Sequence, residues 1–423
     1  MYKNAMELSY YQATRRVSFE APALAADIDT DVAVIGGGIA GVSAALSLAE
    51  AGYKVALLEA RTIGWGASGR NGGQVLPGLA APLHRIARLV GREQANKVWH
   101  MSVEAVELLH ARIKAHQIPC DPVKGYLHVA LKPRQVRELH AEQEERVWLG
   151  APLGRLLEGS ALYERIASHR YIAALEDRLA GHIHPLNYTV GLAMAARQAG
   201  ARIYEQSPVV KIENGKVINL SVGAHKVRAK YLILAGGAYL NRLAGGLDGY
   251  IMPVGTYIVA TESRPDIASL IPGNEAVADL NFVLDYFRRS PDDRMLFGGR
   301  VSYSTYPPKD LGPAMLKRAV AVFPQLKGVR AEFIWGGLVD ITRNRAPHFG
   351  KISDNILFLQ GFSGHGVALA GLAGQLAAEA VAGQFGRFDV FARIPHARFP
   401  GGRMFRTPAL VLATSWYRLR DIL

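Results

Sequence analysis

A chain of 423 residues with 49 basic against 36 acidic side chains, net charge +13, is long enough for two or three domains around a sizeable core. A composition that is 49% hydrophobic and 20% charged excludes a disordered chain, and the single cysteine, Cys120, excludes an internal disulfide framework or a cysteine-rich metal site. The basic residues are scattered with no long run, so the charge reads as a solvated surface able to steer anions, and nucleic acid is not expected as a partner.

Residues 1–30 read as an arm leading to the first strand. They carry Glu7, Arg15, Arg16 and Glu20 and no continuous apolar run, so no signal peptide is expected and a cytoplasmic location is. Residues 32–35 form a short apolar, β-branched strand. Gly36-Gly37-Gly38-Ile39-Ala40-Gly41 then spells G-x-G-x-x-G, followed by a helical stretch to Ala51, a second apolar strand over 54–58, and Glu59. In this context the pattern is a dinucleotide fingerprint. Gly36 permits the tight turn, Gly38 lets a pyrophosphate approach the backbone, and Gly41 lets helix and strand pack closely. The helix N-terminus offers N–H groups to phosphate, and Glu59, 18 residues past Gly41, is placed to accept from ribose hydroxyls. The motif alone does not separate a flavin from a nicotinamide dinucleotide.

Residues 61–74 form a glycine-rich loop holding Trp65, Ser68, Arg70 and Asn71, suited to wrap a planar, phosphate-bearing ligand. Helical spacing covers 84–89, 94–116 and the charged stretch 133–149, with strands at 125–131 and 171–176. Gly181-His-Ile-His-Pro185 precedes a helix over 188–198. His182 and His184 have metal-like spacing but no third ligand beside them, so they read as ordinary hydrogen-bonded histidines and no metal is expected. Strands follow at 202–204 and 209–212, then 231–237, which runs into Gly236 and Gly237 at a ligand. From residue 251 the pattern changes to strands at 253–261, 282–288, 295–300 and 331–337, with one helix at 314–322: an antiparallel sheet. Residues 355–359 return to a buried strand. Gly361-Phe-Ser-Gly-His-Gly366 opens a small-residue helix over 367–382, whose positive end suits a ring system that becomes anionic on reduction. A last helix at 409–419 packs on the body or makes weak membrane-surface contact. No stretch reads as a membrane span.

These pieces resemble, over nearly the whole chain, the FAD-dependent D-amino acid oxidase and sarcosine/glycine oxidase superfamily. The carriers are G-x-G-x-x-G with Glu59, residues 66–73, residues 181–185 and residues 361–366. Within it, GASGRNGGQ, GHIHPLN, FPQLKGV, GFSGHGV and FPGGR are similar to the branch of bacterial polyamine catabolism acting on γ-glutamylputrescine. The resemblance implies α/β plus α+β architecture: a Rossmann-like FAD domain and a discontinuous antiparallel-sheet substrate domain. The expected division is 1–83, 181–244 and 341–423 for FAD, against 84–180 and 245–340 for substrate.

It further implies that Gly36, Gly38, Ile39, Ala40 and Gly41 hold the pyrophosphate, and Glu59, Ala60 and Arg61 the ADP ribose. Gly66, Ala67, Ser68, Arg70, Asn71, Gly72 and Gly73 line the flavin, Val210 meets the adenine through its backbone, and Gly236 faces the cofactor. Gly364, His365, Gly366 and Val367 face the isoalloxazine edge. Some sarcosine oxidases attach flavin through a cysteine five residues before the threonine that is Thr342 here. Gly337 stands at that place, so FAD is expected to be non-covalent. Many members carry T-P-D-x-x-P, where this chain has Thr342-Arg343-Asn344-Arg345-Ala346-Pro347, which puts any role of that acid in doubt.

The implied chemistry is hydride transfer from an amine-bearing carbon to flavin, with molecular oxygen as acceptor and a small-molecule amine as substrate. Arg300, Arg343 or Arg345 can clamp a carboxylate on the substrate's far end. Tyr257, Tyr286 and Trp335 lie on roof strands where they either line an amine channel or pack the core, and His365 either shapes the flavin site or serves the turn. Rival readings are L-pipecolate or another secondary amine as substrate, a tRNA-modifying flavin oxidase, and a nicotinamide-dependent reductase. The last would be expected to need a second fingerprint, which the chain lacks.

Overall fold

In the computed structural model the described residues are 8–152, 154–240, 243–302 and 310–400, with Arg300 and Ser302 described as backbone only. The expected helix at 409–419, and its membrane contact, fall outside them.

The fingerprint strand, Ile28–Ile35, sits in the middle of a parallel sheet. Val55–Leu58 pairs on one side and His225–Leu234 on the other, with Arg202–Tyr204 and Ile356–Gln360 beyond them. Its residues alternate between two cores: Val32 and Val34 face the helical layer, Ala33 and Ile35 face the opposite layer of Ile218, Leu220 and Val222. Both faces are covered, which is why the run is uninterruptedly apolar. The helical layer comprises Ile39–Glu50, Arg92–Ala115, Pro185–Gln198 and Leu369–Val381. Two of these approach very closely. A Cβ on Gly374 would overlap the carbonyl of Ala40, and Ser43 Oγ donates to the Gly371 carbonyl across the same contact.

The second sheet is a nine-stranded roof ordered Ala331–Thr342, Ile251–Thr261, Met295–Ser302, Tyr286–Arg289, Ala276–Asp279, Val123–Ala130, Ala173–His182 and Gln74–Val75, with Arg155–Glu158 pairing on Ala173–His182. Its pairs are antiparallel except Ala276–Asp279 with Val123–Ala130. Strand alternation divides its side chains. Ile258, Ala260, Leu296 and Trp335 face the core shared with Val32, Val34 and the helical layer. Tyr257, Val259, Phe287 and Phe297 face a separate core closed by Met315 and Ala319 of the helix Leu311–Val322.

Two expected strands change length. Residues 280–285 form a loop, because the Asp279 carboxylate accepts from the N–H groups of Asn281 (3.0 Å) and Asp285 (3.1 Å) and closes a turn before Tyr286–Arg289 begins. The strand expected to stop at Gly337 continues to Thr342, paired throughout with Ile251–Thr261. The boundary drawn at residue 84 does not coincide with a change of core. Ala95, Val98, Trp99, Ala105 and Leu109 pack with Ile39 and Leu372.

The arm is built in. Ser9 caps a helical turn, Tyr10–Ala13, and buries Tyr10 and Tyr11 between the sheets. The Tyr10 hydroxyl donates to Asp292 (2.6 Å) and the Tyr11 hydroxyl accepts from Arg288 (3.2 Å), so the N-terminus fastens the roof to the helical layer.

Candidate functional site

Between the parallel sheet and the roof lies a cavity of about 880 Å³. It is lined by Val209, Val210 and Lys211, by Gly36–Ala40 and Glu59, and by Leu338, Asp340, Gly364, Gly366 and Val367. The glycines are sterically required. Gly36 has φ +112°, and a Cβ on Gly41 would overlap the Gly36 carbonyl. No side chain caps the helix at Gly38. The Ile39 N–H donates to Ser68 Oγ (2.9 Å), which fastens the glycine-rich loop to the fingerprint.

Glu59 reaches back across the turn and accepts from the N–H groups of Gly37 (2.6 Å) and Arg61 (2.8 Å). Burial pushes its carboxyl up, and those two N–H groups oppose the shift. The loop is held from within by Asn71, which donates to the carbonyls of Ala67 (2.9 Å) and Ser68 (3.0 Å) and accepts from the Gly73 N–H (2.7 Å). Arg70 donates to the Trp65 carbonyl (2.8 Å), and the Trp335 indole donates to the Arg70 carbonyl (3.0 Å). Behind it, the buried guanidinium of Arg288 donates to the carbonyls of Gly72 (2.8 Å) and Ile183 (3.2 Å).

Residues 31–380 match the DAO family, FAD dependent oxidoreductase. The chain belongs to that family. It is 42% identical over 416 residues to γ-glutamylputrescine oxidoreductase of Escherichia coli K12, covering 98% of both chains. It is 39% identical over 421 residues to the probable oxidoreductase OrdL of Haemophilus influenzae, covering 98% of this chain and 97% of that one. The fold is that of glycine oxidase from Geobacillus kaustophilus, TM-score 0.73 at 22% identity over 84% of this chain and 95% of that one. L-proline dehydrogenase from P. horikoshii gives TM-score 0.70 at 22% identity, covering 84% and 94%.

This DAO-family chain is therefore an FAD-dependent oxidoreductase, and its cavity fits the cofactor. The cavity is bounded by the backbone of the fingerprint glycines, where a diphosphate can approach, and Glu59, the acid expected at a ribose, stands on its wall. FAD, when bound, supplies the two-electron acceptor. Of the residues expected at the cofactor, Gly36, Gly38, Ile39, Ala40, Glu59, Ala60, Arg61, Val210, Gly364, Gly366 and Val367 line this cavity, where the first four would hold the diphosphate, Glu59, Ala60 and Arg61 the ribose, Val210 the adenine and the last three the ring. The only cysteine in the sequence, Cys120, is buried away from the cavity lining, its thiol pushed up to about 12 by burial and then by Asp121, so no cysteine is placed to form a thioether with FAD.

The remaining expected site residues are dispersed. Gly66, Ala67, Ser68, Asn71 and Gly236 line the cavity, whereas Gly41, Arg70, Gly72 and Gly73 stand one layer back. Trp335 is fully buried under the Arg70 loop and lines nothing. Tyr257 is on the far side of the roof, in the core with Phe287 and Phe297, because it alternates with the inward Ile258. Tyr286 does face inward, its ring against Gly72 and Gly298. His365 is turned from the cavity, bonded through Nε2 to the Pro77 carbonyl (3.0 Å), with burial holding it below its ordinary pKa and so neutral.

Of the three arginines, Arg343 is exposed and donates to the Arg398 carbonyl (3.2 Å). Arg345 stands 5.4 Å over the Phe282 ring at the end of the roof, and the side chain of Arg300 lies outside the described residues. Asn344, in place of the family's acid, closes the turn by accepting from the Ala346 N–H (3.1 Å) and donating to the Pro395 carbonyl (2.9 Å). His182 donates to the Asn274 carbonyl, and His184 caps Pro185–Gln198 by accepting from the Asn187 N–H; burial and the Arg288 charge push both down to about 3. The sequence reading missed Tyr239 and Asp340 on the cavity wall. Tyr239 was signalled only by following Gly236-Gly237, and Asp340 lay past the glycine pair taken as a strand end.

Proposed function

We propose that this flavoenzyme oxidises the secondary or primary amine of γ-glutamylputrescine at the adjoining carbon, giving an imine that hydrolyses, with molecular oxygen as electron acceptor. The observation that carries the reading is the 42% identity sustained across 98% of both chains with the Escherichia coli γ-glutamylputrescine oxidoreductase. The site's chemistry agrees with it. An amine that binds uncharged needs no strong base, and no histidine lines the cavity among the described residues. The Tyr286 ring packs against Gly72 and Gly298, on the side of the roof that faces the glycine-rich loop. Arg345, 5.4 Å over the Phe282 ring just past the roof strand Ala331–Thr342, is the cation this reading assigns to a carboxylate at the far end of a long substrate. The reading places the reaction in the cytoplasm, supported by the lone unpaired Cys120. Among the described residues no helix is long and apolar enough to cross a membrane.

Purified protein is expected to be yellow and to release its chromophore in acid. Under anaerobic conditions γ-glutamylputrescine is expected to bleach the flavin rapidly, and admission of air to restore it with hydrogen peroxide formed. Bleaching by L-pipecolate but not by γ-glutamylputrescine would overturn the substrate. Reoxidation by a quinone and not by air would overturn the acceptor.

A further inference from the structure

The cavity carries one carboxyl that the dinucleotide fingerprint does not use. Asp340 lies on the roof strand Ala331–Thr342, is buried, and lines the cavity wall. Its Oδ2 accepts from the Gly361 N–H at 2.6 Å. Its own carbonyl accepts from the Ser363 N–H at 3.0 Å, and two residues along the strand the Thr342 N–H donates to Ser363 Oγ at 3.2 Å. The roof is thereby stitched to the turn 361–366, whose glycines face the cofactor ring. Gly237 comes up against the same carboxyl: a Cβ there would stand 3.3 Å from Oδ2.

Among the described residues no cation pairs with this group. The charged or titratable side chains on the elements around it are Tyr239, Arg70 and His365. The Tyr239 hydroxyl accepts from the Leu338 N–H. Arg70 donates to the carbonyls of Trp65 and Gly336, and His365 is held by Pro77. The neighbouring strand places Pro253 opposite Asp340 and contributes no charge. Burial pushes the carboxyl up to about 6, against the N–H groups of Gly361 and Phe362, which favour the ionised form.

We propose that Asp340 is a positioning residue for the flavin, clamping the turn 361–366 to the roof and setting a negative charge against the cofactor that holds back its reduction. The inference rests on FAD as cofactor and is independent of which amine is oxidised. Adding electrons to the ring brings a second negative charge next to a carboxylate that no described cation compensates, in a site shielded from water, which disfavours the reduced form. Lowering the pH through the carboxyl's titration removes that repulsion.

The test is a spectroelectrochemical titration of the full-length holoenzyme and its Asp340→Asn variant at pH 8 and pH 5. The asparagine retains a carbonyl oxygen for the Gly361 N–H, so FAD stays bound while the charge is gone. At pH 8 the variant's reduction equilibrium is expected to be about tenfold more favourable than wild type, ~30 mV more positive for a two-electron couple. At pH 5 the two are expected to converge. Asp340→Ala, which removes the acceptor as well, is expected to release FAD about tenfold more readily, read by fluorescence of the freed cofactor. Equal potentials at pH 8, loss of FAD by the asparagine variant, or an alanine variant that retains FAD as tightly as wild type would each overturn the proposal. Should the alanine variant not fold, the asparagine potentials decide the matter alone.

Discussion

A carboxylate that would hold a ribose must be aimed at it, and the N–H groups of Gly37 and Arg61 orient Glu59 and favour its charged form against the effect of burial. Glu59→Gln is expected to fold and to bind FAD about tenfold more weakly, as measured by titrating apoprotein with FAD; unchanged affinity would remove Glu59 from the cofactor site. Glu59 was legible because its distance from Gly41 is fixed by one helix and one strand. Asp340 was not, because Gly336-Gly337 reads as the end of a strand, and only pairing with Ile251–Thr261 carries it through. A third carboxyl governs stability. Burial, then the charge of Asp285, pushes Asp279 up to about 7, from 3.8 in the unfolded chain. The folded protein therefore keeps a proton that the unfolded chain gives up as pH rises from about 4. The contribution is complete below that and lost on reaching about 7, a span worth roughly 4 kcal/mol. The thermal midpoint is expected to fall between pH 5 and pH 8, and to fall less in Asp279→Asn. Identical pH slopes would show that Asp279 does not carry the effect.

At the level of single elements, helices and strands were readable to the extent that their neighbours were local. The fingerprint strand, its helix and the small-residue helix after Gly366 were all evident from periodicity. Which face of a roof strand meets the flavin was not, since alternation gives two faces but not their destinations. Tyr257 and Ile258 are equally apolar in pattern, and only the helix Leu311–Val322 behind the sheet claims the tyrosine. The contact between Ile39–Glu50 and Leu369–Val381 is set by Gly374, for which the facing atom is the Ala40 backbone carbonyl. A main-chain atom inside a helix cannot swing aside. Gly374→Val is accordingly expected to lower stability by about 3 kcal/mol and to weaken FAD retention, because the helix carries the turn 361–366 at its head. A thermal midpoint within a degree of wild type would show that the helices can separate freely.

Across the whole molecule, two sheets with different chemistry are wound from one chain that crosses between them repeatedly. That two-layer plan was legible from the change in pattern at residue 251. The arm was not, because a four-residue helix with two tyrosines gives no periodic signal, and its partners Arg288 and Asp292 lie far along the chain. The packing of the helix Arg92–Ala115 was not legible either, since an amphipathic stripe does not say which core it joins, and here it is that of Ile39 and Leu372.

The position of Ile28–Ile35 in the middle of its sheet also dictates an order of assembly. One neighbour, Val55–Leu58, emerges from the ribosome almost at once. The other is not made until His225–Leu234, and the strand outside it, Ile356–Gln360, comes later still. The partner helix of Ile39–Glu50 is Leu369–Val381, near the end of the described chain. At ~5–20 residues per second, roughly 15–65 s separate synthesis of the phosphate-binding glycines from synthesis of the turn that closes on the ring. For that interval the face of Ile39–Glu50 that later meets Leu369–Val381 is uncovered, and such transiently exposed apolar surface is what chaperones bind. A chain stopped after residue 355 is expected to hold no FAD and to co-purify with a chaperone. FAD retained by such a fragment would show that cofactor capture precedes the last strand.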